Sequence, residues 1–419
     1  MPPPAPSKPG PITPRIIIHG GAGNITKTSL PRDLYDTYRA SLLSILTTSN
    51  TLLSQPGATA LDIASHAVTQ LENSPLYNSA HGAVFTRAGT TELECSIMVS
   101  SGWRKRGVGC MLLSRVKNPI LLARELLMRG EEIGGQGSGE HAHYSGAFAE
   151  SLAEKWGLDI VDPGYFWTRR RWEEHLRGLV EGEGEGEKCE VSEWEKNNYI
   201  PMGTCGAVVV DSHGTICVAT STGGLTNKAP GRIGDTPCMG TGYWAEQWYE
   251  DARAMVYQQQ AVAAPIERIS RGDFGGMLGE CLGGSTPVLQ QVEKQRDVRH
   301  AVGLSGTGNG DSFIRMAATR TAAAYSRFSN KSLAKATTWM VGRGGELQKS
   351  AGERWGKTGE GQGGMIGIEV VGEKVEVVFD YNCGGLFRAW TEEDGSKKCL
   401  IFREDSWESG PEGWNSVCN

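Results

Sequence analysis

No apolar run in the 419-residue sequence approaches the roughly 18 residues that a membrane-spanning helix requires, and Met1 does not open a charged and then apolar leader. These absences argue against an integral membrane protein and against a secreted one, so we expect a cytoplasmic protein. A basic stripe is also lacking, since 42 lysines and arginines stand against 48 aspartates and glutamates, for a net charge of -6. We therefore expect neither nucleic acid nor an anionic membrane as a partner.

The ten cysteines include no pair with the spacing Cys-x-x-Cys, which argues against a zinc site. Several of them, among them Cys205 and Cys217, lie inside apolar runs that are typical of strands. We therefore predict buried thiols in a reducing compartment, with neither a disulfide framework nor a zinc site.

Glycine, by contrast, is abundant: the chain has 57 glycines, about twice the usual share of ~7%. They cluster where strand-like runs end. The β-branched run Ile16-Ile17-Ile18, for example, stops at His19-Gly20-Gly21-Ala22-Gly23. This pattern predicts a strand that is followed by a glycine turn.

Periodicity divides much of the chain into helices and strands. The predicted helices lie at about 33–54, 58–73, 119–129, 140–157, 165–179, 311–327 and 332–342. Near the C-terminus, strands are predicted at 365–371, 375–379, 385–390 and 399–402. The alternation of helical and strand-rich regions predicts a layered α/β protein with antiparallel sheets.

Three stretches lack the pattern of a folded core. Residues 1–14 carry seven prolines and are predicted to form a disordered tail. Residues at about 181–200 begin with alternating Glu and Gly, which repel one another and bury nothing, so a flexible acidic linker is predicted there. Residues at about 247–298 are rich in Gln, Gly and Arg, and this composition predicts an insertion.

A β-hairpin is predicted directly after the acidic linker. Two β-rich runs, 204–211 and 215–222, flank a three-residue loop that ends in glycine. A loop of this length places Thr204 opposite Thr222. Threonine pairs are common in strands, so the pairing alone assigns no function.

Thr204 stands out because it is the first strand residue after the linker. A threonine hydroxyl is a weak nucleophile that needs a base, and no histidine lies close in sequence, although the fold can bring one near. Cleavage of the bond between Gly203 and Thr204 would free an α-amine beside the hydroxyl, and that amine can serve as the base. Gly203 permits the strained backbone that such self-attack requires.

Six short segments carry motifs in a consistent order. They are 19–23 (HGGAG), 74–86 (SPLYNSAHGAVFT), 203–208 (GTCGAV), 220–228 (TSTGGLTNK), 230–237 (PGRIGDTP) and 307–311 (TGNGD). In composition and order these segments resemble the plant-type (type 2) asparaginase and isoaspartyl peptidase family of N-terminal-nucleophile hydrolases. The similarity covers most of the chain outside the tail, the linker and the insertion.

The resemblance implies that Thr204 is the nucleophile exposed by autocleavage and that Thr222 assists its activation. Thr307 and Gly308 correspond to the oxyanion-stabilising pair of the family, and Gly310 lies nearby in the substrate pocket. A glycine turn that opens a helix presents unpaired N–H donors, which suits this role.

Arg232 and Asp235 match the family pair that grips the α-carboxylate and the α-amine of a substrate. A guanidinium offers two donors to a carboxylate, and a carboxylate accepts hydrogen bonds from an ammonium group. The spacing Arg-x-x-Asp by itself is also that of an ordinary surface ion pair, so this assignment depends on the resemblance.

Two loops depart from the family pattern. Asn78 matches the asparagine of the family's Asn-Ala-Gly loop, near the nucleophile, but Ser79-Ala80 follows it here. Where the family has Met-Asp-Gly, this chain has Met98-Val99-Ser100.

The resemblance and the sequence together assign no metal-binding side chain and no cofactor. Some relatives hold a structural sodium ion through backbone carbonyls of the segment at 71–81, and carbonyl ligands leave no side-chain signature. His19, between an apolar strand and a glycine turn, is interpreted as a hydrogen-bonded structural residue near the site and not as a proton shuttle.

The resemblance implies an αββα sandwich, made of halves 15–203 and 204–419 after autocleavage. The implied activity is hydrolysis of the β-amide of L-asparagine and of β-aspartyl dipeptides, both small molecules, to give L-aspartate. The family usually pairs two αβ units, so a dimer of αβ heterodimers is expected.

Three alternatives stay open. A threonine-aspartase protease would cut proteins after aspartate, but that branch differs at the position of Asp235. An aspartylglucosaminidase shares the motif at 307–311, yet it belongs to the secretory pathway. An uncleaved scaffold whose insertion binds a partner is suggested by the altered loops at Asn78 and Val99.

Overall fold

The computed structural model describes residues 12–103, 106–131, 141–182, 197, 199–200, 203–250 and 297–418. The strands in these ranges are β1 (Arg15–Gly23), β2 (Leu93–Val99), β3 (Gly107–Leu113), β4 (His143–Ser145), β5 (Cys205–Val210), β6 (Ile216–Thr222), β7 (Tyr243–Glu250), β8 (Val298–Gly308), β9 (Gly363–Val371), β10 (Lys374–Tyr381), β11 (Gly385–Thr391) and β12 (Lys397–Leu400). The α-helices are α1 (Arg32–Leu53), α2 (Ala60–Asn73), α3 (Pro119–Arg129), α4 (Gly146–Lys155), α5 (Arg169–Gly182), α6 (Gly310–Met316), α7 (Ala318–Phe328), α8 (Leu333–Val341), α9 (Glu346–Lys349) and α10 (Asn415–Cys418). None of the described helices combines the length and the apolar character needed to cross a membrane.

The strands form two sheets. The larger sheet has the order β12-β11-β1-β5-β6-β2-β3-β4, and the smaller has the order β10-β9-β8-β7. Neighbouring strands run antiparallel, as predicted, except that β4 pairs in parallel with β3. The exception has a simple cause: helix α3 lies between these two strands in sequence, and such a crossover returns the chain in its original direction.

Apolar side chains pack in three layers. Helices α1, α2 and α3 cover one face of the larger sheet, where Ile16 and Ile18 of β1 point toward them. The opposite face, which includes Ile17, packs against the smaller sheet. Helices α7 and α8 cover the outer face of the smaller sheet. Strand β1 is therefore apolar on both faces, which explains its uninterrupted isoleucine run.

The hairpin β5–β6 has the predicted register. Cys205 pairs with Ser221, so Thr204 directly precedes the paired region and Thr222 ends β6. The loop closes through a hydrogen bond of 2.8 Å from the Gly214 backbone N–H to the Asp211 carbonyl. Gly214 has φ +72, a conformation that favours glycine at this position.

Several predicted boundaries differ from the structure. The helix predicted at 311–327 is divided into α6 and α7, because Ala317 adopts a left-handed conformation with φ +44 between them. The helix predicted at 140–157 is shorter, since β4 occupies its predicted start. The helix predicted at 165–179 begins at Arg169 and continues to Gly182. The glycine turn predicted at 19–23 is wrong, because these residues pair with β11 as part of β1. Strands β2, β3, β4, β7 and β8 were not predicted.

The stretches predicted as tail, linker and insertion lie largely outside the described residues. Ile12 is buried between the two sheets, so the folded part begins before Arg15. The predicted start of the insertion at 247 is wrong, because residues 247–250 belong to β7 and pair with the start of β8. Aromatic residues such as Trp248 and Tyr249 favour a strand there.

Thiol burial agrees with the prediction. Of the seven cysteines whose side chains the structure describes, six are buried and Cys238 is partly buried, and all seven carry free thiols.

Candidate active site

The hydroxyl of Thr204 has a hydrogen-bond partner that sequence analysis did not identify. Thr204 is 6% exposed, and its Oγ1 lies 2.7 Å from Oγ1 of Thr236, with either atom able to donate. The predicted partner, Thr222, ends the neighbouring strand, but its Oγ1 accepts a 3.0 Å bond from the backbone N–H of Gly224. The register thus brings the two threonines to the same end of the hairpin, while Thr236 engages the nucleophile candidate itself.

Gly203 lies against the predicted oxyanion pair. A Cβ atom on Gly203 would overlap Oγ1 of Thr307 and would stand 3.1 Å from the backbone nitrogen of Gly308. Gly21 of β1 also lies close, since a Cβ atom on it would be 2.9 Å from the nitrogen of Gly203. The peptide segment that precedes Thr204 is therefore enclosed between the ends of β1 and β8, and it fits only because residue 203 lacks a side chain.

Thr307 and Gly308 are fixed by the end of β8. The backbone N–H of Ala22 donates a 3.1 Å bond to Oγ1 of Thr307, so the hydroxyl proton of Thr307 is still available for donation. Gly308 has φ +142, and a Cβ there would lie 2.5 Å from the carbonyl oxygen of Gln362. Only glycine fits this position, and its backbone nitrogen lies close to Gly203.

The structure brings Arg232, Asp235 and Gly310 together. A Cβ on Gly310 would stand 2.6 Å from Oδ1 of Asp235 and 3.0 Å from Nη2 of Arg232, so the glycine leaves room for both side chains. Arg232 also donates a 3.0 Å hydrogen bond to Asp311, whose side chain is 62% exposed. Asp235 itself is buried.

Two buried charged residues near this point were missed. Glu94, paired in register with Thr222, is fully buried and accepts a 2.9 Å hydrogen bond from the backbone N–H of Gly234. Lys228 lies 3.8 Å from the same carboxylate and is also buried. Strand β2 was not predicted, so no local sequence signal marked Glu94 as a buried residue.

Burial governs the electrostatics of this charged group. Burial first and the charge of Glu94 second raise the pKa of Asp235 to about 7, although Arg232 acts in the opposite direction. Burial likewise raises the pKa of Glu94, against the pull of Lys228. Within the described residues, Oδ2 of Asp235 and Oε2 of Glu94 are buried and accept no hydrogen bond.

Asn78 braces the loop that follows Thr222. Its Nδ2 donates a 2.7 Å bond to the carbonyl of Gly224, and its Oδ1 accepts a 3.1 Å bond from the backbone N–H of Val84. Since the N–H of Gly224 binds the Thr222 hydroxyl, Asn78 acts on Thr222 through this glycine. The side chain thus has a supporting position beside the site despite the altered sequence after it.

His19 links the two sheets beneath the site. Its Nε2 lies 2.7 Å from Oγ of Ser305 in β8. Complete burial lowers its pKa to about 3, and a backbone hydrogen bond with Thr204 only partly offsets this shift. The imidazole is therefore neutral over the physiological range, which agrees with its interpretation as a structural residue.

A third buried acid, Glu72, lies behind the hairpin. Its Oε1 accepts hydrogen bonds from Oγ of Ser221 at 2.7 Å and from the backbone N–H of Ile120 at 2.9 Å. Burial raises its pKa to about 8, and these hydrogen bonds act in the opposite direction. The carboxyl is thus largely protonated at neutral pH.

Backbone carbonyls of the segment at 71–81 accept hydrogen bonds from protein donors, among them those of Leu71, Leu76, Tyr77 and Ser79. A carbonyl oxygen has two acceptor positions, so a sodium site formed by carbonyls of this segment stays a prediction. The described residues also contain no cluster of three or more His, Cys, Asp or Glu side chains that suits a metal ion. We assign no metal ligand.

Comparison with known proteins identifies the family. The family model described as asparaginase matches residues 12–250, which is more than half of the chain. The chain belongs to this asparaginase family. The matched range includes Thr204, Thr222, Arg232 and Asp235, and it confirms the resemblance drawn from the motifs.

Individual relatives of this asparaginase-family chain extend the similarity beyond the matched range. The isoaspartyl peptidase of Escherichia coli is 30% identical over 93% of this chain and 96% of its own length. The isoaspartyl peptidase of Salmonella typhimurium is also 30% identical, over 93% of this chain and 98% of its own length. The isoaspartyl peptidase/L-asparaginase of Bos taurus is 32% identical over 56% of this chain and 68% of its own length.

Proposed function

We propose that this chain hydrolyses the β-amide of L-asparagine and the β-aspartyl bond of isoaspartyl dipeptides, with release of L-aspartate. Family membership and the names of the relatives support this activity. The observation that carries the proposal is the convergence of the Thr204 hydroxyl, the enclosed Gly203 and the donors of Thr307 and Gly308. A nucleophile, a scissile bond and an oxyanion site need this arrangement for acyl transfer.

We also propose the αββα sandwich and the division into halves 15–203 and 204–419. The three apolar layers, with helices outside and the two sheets facing each other, support the sandwich. Strand β5, which begins just after Thr204, lies between β1 and β6 in the larger sheet, so both halves share one sheet. Autocleavage would therefore leave the two chains held together by strand pairing.

In the proposed maturation step, Oγ1 of Thr204 attacks the carbonyl carbon of Gly203. The bond between that carbon and the Thr204 nitrogen breaks, the nitrogen takes the hydroxyl proton, and Gly203 becomes an ester on Oγ1. Water then hydrolyses the ester, which leaves a carboxylate on Gly203 and restores the hydroxyl. Thr307 and Gly308 stabilise the negative charge on the carbonyl oxygen during this attack.

In turnover, the freed α-amine of Thr204 accepts the hydroxyl proton while Oγ1 attacks the side-chain carbonyl of the substrate. The protonated amine then donates to the leaving nitrogen, so that ammonia or the amine of the second residue departs. Water hydrolyses the acyl-enzyme and releases aspartate. The same oxyanion donors serve both reactions, since the substrate carbonyl occupies the place of the Gly203 carbonyl.

Arg232 and Asp235 are proposed to bind the α-carboxylate and the α-ammonium of the substrate. Arg232 supplies a planar pair of donors, and Oδ2 of Asp235 is buried and accepts no bond within the described residues. A buried carboxylate favours a substrate with a free amine over an internal aspartate in a protein. The proposal therefore prefers small substrates over the protease alternative.

The decisive experiment combines a denaturing gel, N-terminal sequencing and three substrates. The proposal expects two chains with Thr204 at the new terminus, ammonia release from asparagine, cleavage of a β-aspartyl dipeptide, and no cleavage of an internal-aspartate peptide with both ends blocked. Efficient cutting of the blocked peptide would move the assignment to the protease. One intact, inactive chain after long incubation would favour the scaffold. Sedimentation of the cleaved protein tests the proposed dimer of αβ units.

A further inference from the structure

We propose that Thr236 is a further catalytic residue: its hydroxyl orients the Thr204 hydroxyl and donates a hydrogen bond to the same oxygen when the Thr204 proton leaves. The two Oγ1 atoms lie 2.7 Å apart, the usual length of an O–H···O hydrogen bond. Thr236 is 1% exposed, so water does not compete for this bond. The inference rests on the proposed function, because it requires Thr204 to be the nucleophile.

The Thr236 hydroxyl is held in place by strand β2 and by a tight turn. The Thr236 carbonyl accepts a 2.7 Å hydrogen bond from Oγ of Ser96 in β2, which is itself bonded to the Thr220 hydroxyl in β6. The next residue, Pro237, has a fixed φ, and its carbonyl packs against Gly109 of β3. A β-branched side chain on such a backbone has few rotamers, so its hydroxyl is presented in a defined direction.

The chemistry assigns a direction to the hydrogen bond during reaction. A hydroxyl has one donor and two acceptor positions, so either threonine can donate in the resting state. Once Thr204 passes its proton to its own amine, only Thr236 can donate between the two oxygens. A donor aimed at the developing negative oxygen stabilises it before it attacks, and it also holds the oxygen in line with the carbonyl carbon.

The same bond serves the two proposed reactions differently. Before autocleavage no α-amine exists, so Thr236 is the side-chain partner that orients Oγ1 toward Gly203. After autocleavage it keeps Oγ1 beside the new amine. The Thr222 hydroxyl instead accepts a hydrogen bond from Gly224 in the loop that follows β6, so Thr222 and Thr236 have separate roles.

The test compares Thr236→Val, which keeps the shape and removes the hydroxyl, with Thr236→Ser, which keeps the hydroxyl and removes a methyl group. For Thr236→Val we expect autocleavage and the kcat of the cleaved enzyme for asparagine to fall by roughly tenfold to a hundredfold. KM should stay within about twofold, because Thr236 does not contact the α-carboxylate or the α-amine. Thr236→Ser should recover most of both rates. Thr337→Val, another buried threonine in α8, is the matched control and should behave like the wild type.

Two results would overturn the inference. Rates of Thr236→Val within about twofold of the wild type would show that the hydroxyl is dispensable, and an equal loss in Thr236→Ser would assign the effect to packing. Melting temperatures of Thr204→Ala with and without Thr236→Val, both uncleaved, separate misfolding from lost chemistry. If the wild type itself neither undergoes autocleavage nor hydrolyses asparagine, the proposed function fails. This result can be told apart from a failure of the Thr236 proposal, which requires an active wild type.

Discussion

Nε2 of His19 lies 2.7 Å from Oγ of Ser305, and this bond joins β1 of the larger sheet to β8 of the smaller one. A second link follows along the same two strands, from the Ala22 N–H to Oγ1 of Thr307. The sheets therefore hold the oxyanion candidate in a fixed position relative to the glycine-rich end of β1.

The first prediction concerns this sheet-to-sheet bond. His19→Ala leaves the fully buried Ser305 hydroxyl without its partner and opens a cavity. The free energy of unfolding should therefore fall by at least ~1–3 kcal/mol, the cost of an unsatisfied buried polar group, and the melting temperature should fall with it. His19→Gln keeps a polar atom near the position of Nε2 and should lose clearly less. Both are measured on the uncleaved Thr204→Ala background, so that cleavage does not alter the comparison. Equal melting temperatures for His19→Ala and His19→Gln would show that the bond to Ser305 does not stabilise the fold.

The low pKa of His19 also predicts that the protein loses stability in acid. Because burial lowers its folded pKa to about 3, His19 stays neutral in the fold while an unfolded histidine gains a proton near pH 6.5. The unfolded state thus binds more protons between these values, and stability falls as the pH falls through this window. The wild type should lose more of its melting temperature between pH 7 and pH 4 than His19→Gln does. Identical slopes in the two proteins would contradict the assignment.

The next prediction follows from the enclosure of Gly203. A methyl group on residue 203 would overlap Oγ1 of Thr307, so Gly203→Ala should slow autocleavage at least tenfold. Any protein that does mature should have a kcat near that of the wild type, since residue 203 is then no longer bonded to Thr204. Gly359→Ala, at a glycine with open space around it, is the control. Cleavage of Gly203→Ala at the wild-type rate on a timed gel would show that this backbone is free to move.

Local rules predicted the parts of this fold that depend on neighbouring residues. The length of the loop after Asp211 was enough to predict the register of β5 and β6, and the isoleucine run predicted β1. Strands β2 and β3 were not predicted because they are buried on both faces and mix Cys, Gly, Met and Glu. Their sequences therefore show neither an alternation of apolar and polar residues nor strong β-propensity. The break at Ala317 has no Gly or Pro to announce it, because tertiary packing decides that conformation.

The site was predictable as a set of motifs and not as a set of contacts. Motif order indicated Thr204, Arg232 and Asp235, whereas the bond from Thr204 to Thr236 joins residues 32 positions apart and depends on the turn at Pro237. The burial of Glu94 beside Asp235 likewise follows from the pairing of β2 with β6, which no local pattern reveals.

A prediction on the alkaline side follows from Glu72. Its folded pKa is raised to about 8, above the ~4.3 of an unfolded glutamate, so the stability it contributes is fully present below the unfolded value and is lost as the pH rises to about 8. Glu72→Gln imitates the protonated carboxyl and should flatten the loss of melting temperature between pH 5 and pH 9. Glu373→Gln, an exposed position, is the control. The idea is wrong if Glu72→Gln and the wild type lose stability in parallel over this range.

The last prediction uses the pKa of Asp235 to test the substrate clamp. Burial and the charge of Glu94 raise that pKa to about 7, and the ionised carboxylate is the form that binds an ammonium group. We therefore expect kcat/KM for asparagine to rise with pH through about 7, in addition to the titration of the Thr204 α-amine at ~7.7–8.0. Asp235→Asn should lose the rise of kcat/KM near pH 7 and keep the rise that comes from the Thr204 α-amine. It should also lower kcat/KM by roughly thirtyfold or more, the scale for truncating one partner of a buried charge pair. Glu94→Gln removes a neighbouring negative charge and should move the rise of kcat/KM near pH 7 to lower pH. If that rise persists in Asp235→Asn, or does not move in Glu94→Gln, a group other than Asp235 titrates there. The proposed contact between Asp235 and the substrate ammonium would then lose its support.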